Sequence, residues 1–550
     1  MKSRIIIPLL FALAIYLFWW LAYPHALSYQ EQYQLFLFTG DYFRERIGVA
    51  GGLADYIGEF ITQFYYIPWL GALLLALLFL TLQQLTWRVI RSSGVQKFRS
   101  SGNANSQISD FGFTNSYFLS YIPPLLLLWH MGDESVLLSY PVALVMALWA
   151  TLLMGRKSAW PDLLVIPSLY WLIGPVAWLY VALRVMALGW KNAWLLLYMG
   201  LCLFAANQWL LTQWPAKMVA WGLNYYRIPM MVPLLQVLIP AVIVLLAAVG
   251  RWGDNLRPAS GIATVVSLLL LAFWAAEKGF DRDKYELIRQ DYLIRYERWD
   301  DIIDRARHYT VRTPFWSQSV NLALAMKRQL AERQFEFYQS GEDALFMPRT
   351  RDLTSMLPTS EVFWQLGMVN SAQRYAFDTQ ESILNLRKSG RLTKRIAECM
   401  IVNGQYDVAA KQLDLLKKSL FYRSWAKEAE TCLYNDAKVN AHAEWARVRA
   451  CRYKNSFLFS YPEIDKMMGL LFVDNPSNKM ALDYFLAQLL LKGNVQDFMQ
   501  HLSWAQQYGG YSQMPRGYQD AVRCIQARGN VTNSPYADYV KKMMEGGRNE

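Results

Sequence analysis

The sequence has little of what most catalytic and metal-site motifs require. It holds only 5 cysteines and 5 histidines in 550 residues, and no Cys-x-x-Cys occurs. A zinc or thioredoxin-type site is therefore not indicated. The strings Gly-x-x-x-x-Gly-Lys-Ser/Thr, His-Glu-x-x-His and Gly-x-Ser-x-Gly are also absent, which removes the common nucleotide, metalloprotease and hydrolase signatures. Because these motifs are absent, the sequence gives no indication of a metal site or of a cofactor.

A concentrated run of positive charge is missing as well. The net charge of +12 is divided evenly, with 17 Lys and Arg against 11 Asp and Glu in residues 1–279, and 38 against 32 in the remainder. Nucleic-acid grooves need a clustered basic stripe, so no nucleic-acid partner is predicted. The mixed charges after residue 279 are typical of a solvated surface.

Long apolar runs dominate the chain up to Gly279 and then stop. The run Leu73 to Leu80, within residues 66–87, is long enough to cross a hydrocarbon core of about 30 Å as one helix. This change in composition predicts a transmembrane domain over 1–279, in contact with membrane lipid, and a soluble domain over 280–550.

About eight apolar segments are predicted in the first domain. They lie near residues 5–23, 66–87, 117–131, 135–154, 162–188, 192–212, 229–250 and 259–276. The basic start Met-Lys-Ser-Arg places the N-terminus in the cytoplasm. Residues 25–65 are then a polar outside loop, and the Ser/Gly/Asn-rich residues 100–116 are a cytoplasmic loop. Transport ranks low, because no acidic–basic pair is evident within the apolar segments.

Residues 162–188 leave the topology open, because Gly174-Pro175 splits the apolar run. One continuous crossing puts the C-terminal domain in the cytoplasm. A broken, re-entering pair keeps Arg184, Lys191, Arg251 and Arg257 inside and puts that domain outside. The positive-inside bias favours the second alternative.

The pattern after residue 280 is helical. Tyr406, Ala409, Ala410, Leu413 and Leu416 form one apolar stripe at helical spacing. The string 403–410, Asn-Gly-Gln-Tyr-Asp-Val-Ala-Ala, is similar to the entry of the second tetratricopeptide helix, although no strict 34-residue consensus repeats.

We therefore predict an all-α protein, in which a polytopic transmembrane bundle precedes a helical-hairpin solenoid. The solenoid binds an envelope protein or peptide, with Tyr406 as the candidate partner-binding residue, or it packs only on its own membrane half. Four of its residues, Cys399, Cys432, Cys451 and Cys524, form two disulfides if the domain is outside the cytoplasm. Free, buried thiols are the preferred interpretation.

Several strings resemble a bacterial family of multi-pass membrane proteins that has no assigned reaction. They are Gln30 to Phe43, Gly51 to Ile57, Gln63 to Tyr66, Gly367 to Asn370, Asn403 to Tyr406 and Leu420 to Ala426. The resemblance covers essentially the whole chain. It implies the architecture predicted above, in the cytoplasmic membrane of a bacterium.

A weaker resemblance links the first outside loop to polytopic glycosyltransferases that use lipid-linked sugars. Asp41 stands where these enzymes place an acidic residue, and Glu31 lies ten residues earlier. The resemblance implies that such a carboxylate deprotonates an acceptor or holds a divalent cation, while Arg44 and Arg46 bind the lipid phosphate. Asp41 is otherwise a turn residue after Gly40.

The favoured function is interaction or assembly at the cell envelope through the helical domain. The alternative function is sugar transfer, with Asp41 and Glu31 as catalytic residues.

Overall fold

The computed structural model describes residues 3–94, 115–155, 158–252, 261–347, 356–453, 460–508 and 511–546. Over these ranges it confirms the all-α prediction: there are no strands, and one isolated antiparallel bridge joins Val136 to Tyr226. The predicted cytoplasmic loop 100–116 lies almost entirely outside the described residues, as does Arg257.

The chain divides into two compact units. The first comprises Met1–Arg282 with two short later segments, Leu384–Arg387 and Ser419–Phe421. The second comprises Asp283–Ile383, Lys388–Lys418 and Tyr422–Glu550.

The first unit is built from fourteen described α-helices. They are α1 Ser3–Leu17, α2 Pro24–Glu31, α3 Gly40–Ile47, α4 Gly52–Thr62, α5 Pro68–Gly94, α6 Asn115–Leu119, α7 Ile122–His130, α8 Ser139–Met154, α9 Asp162–Ile173, α10 Ala177–Leu188, α11 Trp194–Trp209, α12 Ala216–Trp221, α13 Leu234–Trp252 and α14 Gly261–Gly279. A π-helical turn, Phe18–Ala22, follows α1, and 3-10 turns lie at Gln63–Tyr66, Gly174–Val176 and Trp190–Asn192.

Helix α5 is the centre of this unit and packs against α1, α8 and α13. Its face at Leu75, Phe79 and Leu82 is fully buried. The positions Trp69, Leu73 and Leu77, at intervals of four residues, are 40–49% exposed. A helix that is apolar on both its packed and its exposed face is typical of a lipid-facing span.

By length and apolar composition, two stretches can cross a membrane: Pro68–Ser92 and Asp162–Leu188. A third is added if Ile6–Ala22 and Pro24–Glu31, which meet at a bend of 78°, count as one span. The other predicted segments form shorter helices, such as the 16 residues of α8. Eight segments therefore remain a prediction.

The second of these stretches is folded back on itself. The guanidinium of Arg184 on α10 reaches Asp162 at the start of α9, with Nη2 2.7 Å from Oδ2. In a straight helix, residues this far apart in sequence would be separated by about 33 Å. Hence α9 and α10 are the two arms of a hairpin that turns at Gly174–Val176. The expectation that no ion pair lies within the apolar segments was wrong.

The second unit is a succession of shorter helices. They are α15 Arg282–Arg295, whose first residue belongs to the first unit, α16 Trp299–His308, α17 Pro314–Met326, α18 Leu330–Arg333, α19 Met356–Leu366, α20 Val369–Glu381, α21 Gly390–Val402, α22 Tyr406–Lys417, α23 Arg423–Glu430, α24 Asp436–Ala441, α25 Ala443–Cys451, α26 Ile464–Asp474, α27 Lys479–Leu491, α28 Val495–Gln507, α29 Arg516–Gln526 and α30 Pro535–Gly546. Further 3-10 turns lie at Gln334–Glu336, Gly341–Ala344 and Tyr461–Glu463.

Helices adjacent in sequence pack against each other through most of this unit, as in the pairs α16–α17, α19–α20, α21–α22 and α26–α27. The chain reverses direction between helices with the same backbone geometry at six places. At each of them one residue has a positive φ, and the backbone N–H of the next residue donates to the carbonyl five positions before that next residue. The positive-φ residues are Glu297, Arg328, Gly367, Gly404, Gly493 and Arg528. This is the Schellman type of helix ending. We call these six positions the αL turns.

All five cysteines are free thiols, and Cys399 and Cys524 are buried. The preferred interpretation of free, buried thiols therefore holds for Cys399 and Cys524, whereas Cys432 and Cys451 are free but only half-buried.

Candidate functional site

The polar loop predicted at 25–65 folds into two short helices, α3 and α4. Helix α3 starts where the Thr39 hydroxyl accepts a hydrogen bond from the Tyr42 backbone N–H at 3.2 Å, as an N-cap does. Gly51, with φ +83°, leads into α4. A Cβ at Gly52 would overlap the backbone carbonyl of Arg46, so glycine lets the two helices meet closely.

Asp41, the candidate catalytic acid, lies at the surface of α3. Its carboxylate is 2.6 Å from Nη2 of Arg44, and the two side chains are 89% and 77% exposed. In the part of the chain that the structure describes, Arg44 is its one ion-pair partner. Glu31, the second candidate acid, is buried at the end of α2, whereas Asp41 is exposed. The two predicted catalytic acids are therefore not brought together.

Arg46, predicted with Arg44 to bind phosphate, is instead turned inward. Its Nε lies 3.0 Å from Oε2 of Glu59 on α4, and its guanidinium sits 4.4 Å from the centre of the Tyr42 ring. The Tyr42 hydroxyl also donates to Glu59. Side-chain exposure is 11% for Arg46 and 3% for Glu59, so this group is closed to solvent.

A side chain from a distant part of the sequence also belongs to the group. Arg387 belongs to the segment Leu384–Arg387 of the first unit. Its guanidinium contacts Asp55, and its Nε lies 3.0 Å from Oε1 of Glu59. We call Tyr42, Arg46, Asp55, Glu59 and Arg387 the carboxylate clamp. It holds two buried carboxylates and two guanidinium groups.

Burial controls the electrostatics of the clamp. Desolvation raises the pKa of Glu59 above its usual range, and Arg46 opposes this shift. Desolvation and then the nearby Glu59 charge raise the pKa of Asp55 well above its usual range, again opposed by Arg46. Removing one partner from such a buried group costs about 3–5 kcal/mol.

The contacts within the carboxylate clamp suit a structural role more than a catalytic one. Each carboxylate is already engaged by a guanidinium or a hydroxyl group. Among the described residues, no three His, Cys, Asp or Glu side chains are placed to hold a metal ion. The clamp thus fixes the 384–387 segment onto α4.

Tyr406, the predicted partner-binding residue, lies half-buried in an aromatic and polar patch of the second unit. Its hydroxyl donates to Oδ1 of Asp436 at 2.5 Å, and Arg449 lies 3.0 Å from the same carboxylate. These two contacts lower the pKa of Asp436. The Tyr434 ring is 5.3 Å from the Tyr406 ring, and its hydroxyl donates to Asp407. We call Tyr406, Asp407, Tyr434, Asp436 and Arg449 the tyrosine patch.

Sequence reasoning missed most of the clamp. A signal was present in the loop, since Tyr42 and Arg46, like Asp55 and Glu59, stand four residues apart and so share a helix face. Nothing in the sequence links Arg387 to them, because 332 residues separate it from Asp55.

Comparison with known families places the chain in one of them. A model described as "Family of unknown function (DUF6057)" matches residues 1–544, and the protein belongs to this family. No curated protein and no solved structure matches the chain.

Proposed function

We propose that this is an integral protein of the bacterial cytoplasmic membrane that presents a tetratricopeptide-like helical domain for interaction or assembly at the cell envelope. The observation that carries the proposal is the recurrence of the αL turns. The first four, at 297, 328, 367 and 404, follow one another at intervals of about 31–39 residues, close to the period of two-helix repeats.

The packing of neighbouring helices supports the same proposal. Asn370 and Asn403, next to two successive αL turns, share a hydrogen bond of 2.9 Å, so these two turns lie side by side. Stacked helical hairpins keep equivalent helices in one row and offer a continuous binding face. This arrangement suits a peptide or protein partner more than a small-molecule substrate.

The hairpin of α9 and α10 supports an extracytoplasmic position for the helical domain. Its two arms return the chain to the side where it entered, as in the re-entering alternative of the sequence analysis. Arg184 is neutralised by Asp162, so it no longer counts among the free loop charges. Lys191 and Arg251 then fall on the cytoplasmic side, as the positive-inside rule requires.

The tyrosine patch is the proposed contact point for the partner. Tyr434 is 68% exposed and Val408, on the neighbouring helix α22, is 42% exposed. Their neighbours Asp407 and Asp436 are held in place by the hydrogen bonds described above. Rigidly positioned tyrosines are among the side chains that contribute most to protein interfaces.

The test is site-specific photo-crosslinking in cells. A benzophenone amino acid replaces Tyr434, and a matched control replaces Tyr508, a tyrosine of the same unit that is 65% exposed. We expect one discrete crosslinked species from position 434, absent at 508 and lost on Val408→Glu. Equal labelling at both positions, or a yield unchanged by Val408→Glu, would refute the patch as a docking site.

Two controls test the alternative function and the topology. Asp41→Asn should leave both the accumulation of the protein and the crosslink unchanged. A reporter pair fused after Lys278 and after Gly390 should report an extracytoplasmic position. A cytoplasmic signal would exclude an envelope partner.

A further inference from the structure

Arg227 is a buried guanidinium in the first unit. It lies on the connection between α12 and α13, and its side chain is 1% exposed. Its backbone N–H donates to the Ser135 carbonyl at 2.7 Å, which fixes the chain at this point. The guanidinium carbon lies 5.6 Å from the ring centre of Tyr29 and 5.0 Å from that of Tyr33.

The Nε and Nη2 atoms of Arg227 are buried and have no hydrogen-bond acceptor among the residues that the structure describes. No carboxylate from that part of the chain forms an ion pair with it either. The two tyrosine faces attract the positive charge, but they do not replace an oxygen acceptor in the guanidinium plane. A buried charge is normally paired and hydrogen-bonded.

The geometry of the two atoms indicates what is missing. Their N–H bonds point from one edge of the guanidinium, which fits two oxygens of a carboxylate or phosphate. Two other arginines of this chain fill that edge with a carboxylate. Nε and Nη2 of the fully buried Arg184 hold Asp162 at 3.1 and 2.7 Å, and the same two atoms of Arg305 hold Glu286.

We propose that the Nε–Nη2 edge of Arg227 binds a phosphate oxyanion between Tyr29 and Tyr33. Large exposed side chains lie on this connection or directly before it: Trp221 is 42% exposed, Met230 51% and Met231 49%. Exposed tryptophans at the ends of apolar helices mark the level of lipid headgroups. The phosphate belongs to a lipid headgroup or to a soluble phosphate compound. This site is independent of the tyrosine patch and of the proposed function.

The experiment measures thermal unfolding of the full-length protein in a detergent free of phospholipid. Inorganic phosphate, or phosphatidylglycerol in mixed micelles, is titrated at constant ionic strength. We expect the unfolding midpoint of the wild type to rise with at least one of them. Arg227→Gln should abolish the rise, and Arg227→Lys should weaken the apparent affinity by at least about tenfold, because an ammonium cannot offer the two-pronged edge.

The matched control is Lys217→Gln, which removes a positive charge from an exposed position on α12, the helix that precedes the connection, and should respond as the wild type does. A rise with inorganic phosphate alone identifies a soluble ligand. A rise that needs phosphatidylglycerol identifies a headgroup.

The proposal is overturned if neither ligand moves the wild-type midpoint. It is also overturned if the Arg227 and Lys217 variants respond alike. If Arg227→Gln does not fold, native mass spectrometry of the wild type and Arg227→Lys decides: the wild type should retain a phosphate-containing molecule that the variant loses.

Discussion

The guanidinium of Arg184 donates to the Asp162 carboxylate from both Nε and Nη2, and neither side chain is exposed. The two residues mark the open ends of the hairpin formed by α9 and α10. The Arg184 side chain also donates to the Gly155 carbonyl at 2.6 Å, so the pair ties the hairpin to the end of α8.

This contact predicts a specific crosslink. In a variant without native cysteines, Asp162→Cys with Arg184→Cys should be joined by a non-reducible thiol crosslinker about 8–10 Å long, because the ion pair brings these positions near each other, although a direct disulfide would need Cα atoms within about 7 Å. The control pair, Asp162→Cys with Ile173→Cys, spans the length of α9, about 17 Å, and should not. Equal behaviour of the two pairs on a non-reducing gel would contradict the hairpin.

The clamp predicts a large effect from one distant side chain. Arg387→Met should destabilise the first unit by about 3–5 kcal/mol, because it leaves Asp55 and Glu59 buried with less compensating charge. Limited proteolysis near residues 384–388 should accelerate accordingly. The adjacent, exposed Lys388→Met is the control and should change little.

Neutralising both acids should rescue that variant. Adding Asp55→Asn and Glu59→Gln to Arg387→Met removes the unpaired charges, so part of the lost resistance to protease should return. No recovery would mean that Arg387 acts through packing and not through charge.

The αL turns predict opposite effects for two substitutions at equivalent positions, one that introduces a glycine and one that removes a glycine. Arg328 is exposed and has a φ of +55°, a conformation that costs a non-glycine residue about 1–2 kcal/mol. Arg328→Gly should therefore raise the free energy of unfolding by about 1 kcal/mol. Arg328→Ala, which removes the charge but keeps the Cβ, should not.

Gly367→Ala should do the reverse. Its φ is +84°, and an added Cβ would come within 2.7 Å of the Cys451 backbone. Strain and overlap together should cost about 2 kcal/mol or more. Chemical unfolding of the two variants side by side checks both signs, and a neutral Gly367→Ala would show that the turn can relax.

Asp483 predicts a pH dependence of the second unit. Burial raises the pKa of Asp483 to about 6, opposed by a hydrogen bond from the Tyr511 hydroxyl. The folded state therefore binds this proton more tightly than the unfolded state, whose carboxyl has a pKa near 3.8. The free energy of unfolding is therefore highest below about pH 4, where Asp483 is protonated in both states. It falls by up to about 3 kcal/mol as the pH rises through about 6.

Asp483→Asn keeps an oxygen acceptor for Tyr511 but cannot ionise. The difference in unfolding midpoint between variant and wild type should grow in favour of the variant from pH 4 to pH 7. A constant difference across that range would exclude Asp483 as the titrating group.

Much of the fold could be predicted because apolar runs and helical spacing are local signals. Gly174-Pro175 indicated a break, and the structure places the hairpin turn there. The repeat of the αL turns was hidden because Glu297, Arg328 and Arg528 occupy the position that glycine marks at 367, 404 and 493. The αL turns recur in the backbone conformation, and because different residue types adopt that conformation, the sequence does not show the period.

The candidate site was harder to predict for a different reason. The place of Asp41 in the loop makes it a candidate, yet Tyr42, Asp55 and Glu59 differ from it in being buried. Burial depends on contacts between distant segments, and Arg387 is the extreme case. Arg227 could not be singled out, because its lack of an acceptor is a property of the folded chain alone.

The closing bond of each αL turn has a kinetic consequence. It joins atoms only five residues apart, so each reversal forms with almost no loss of entropy from loop closure. Many packing partners in the second unit are neighbours in sequence, although α18 also packs against α29, far later in the chain. Hairpins of the helical domain can therefore form one after another as the chain emerges during synthesis, before the last helix has been made.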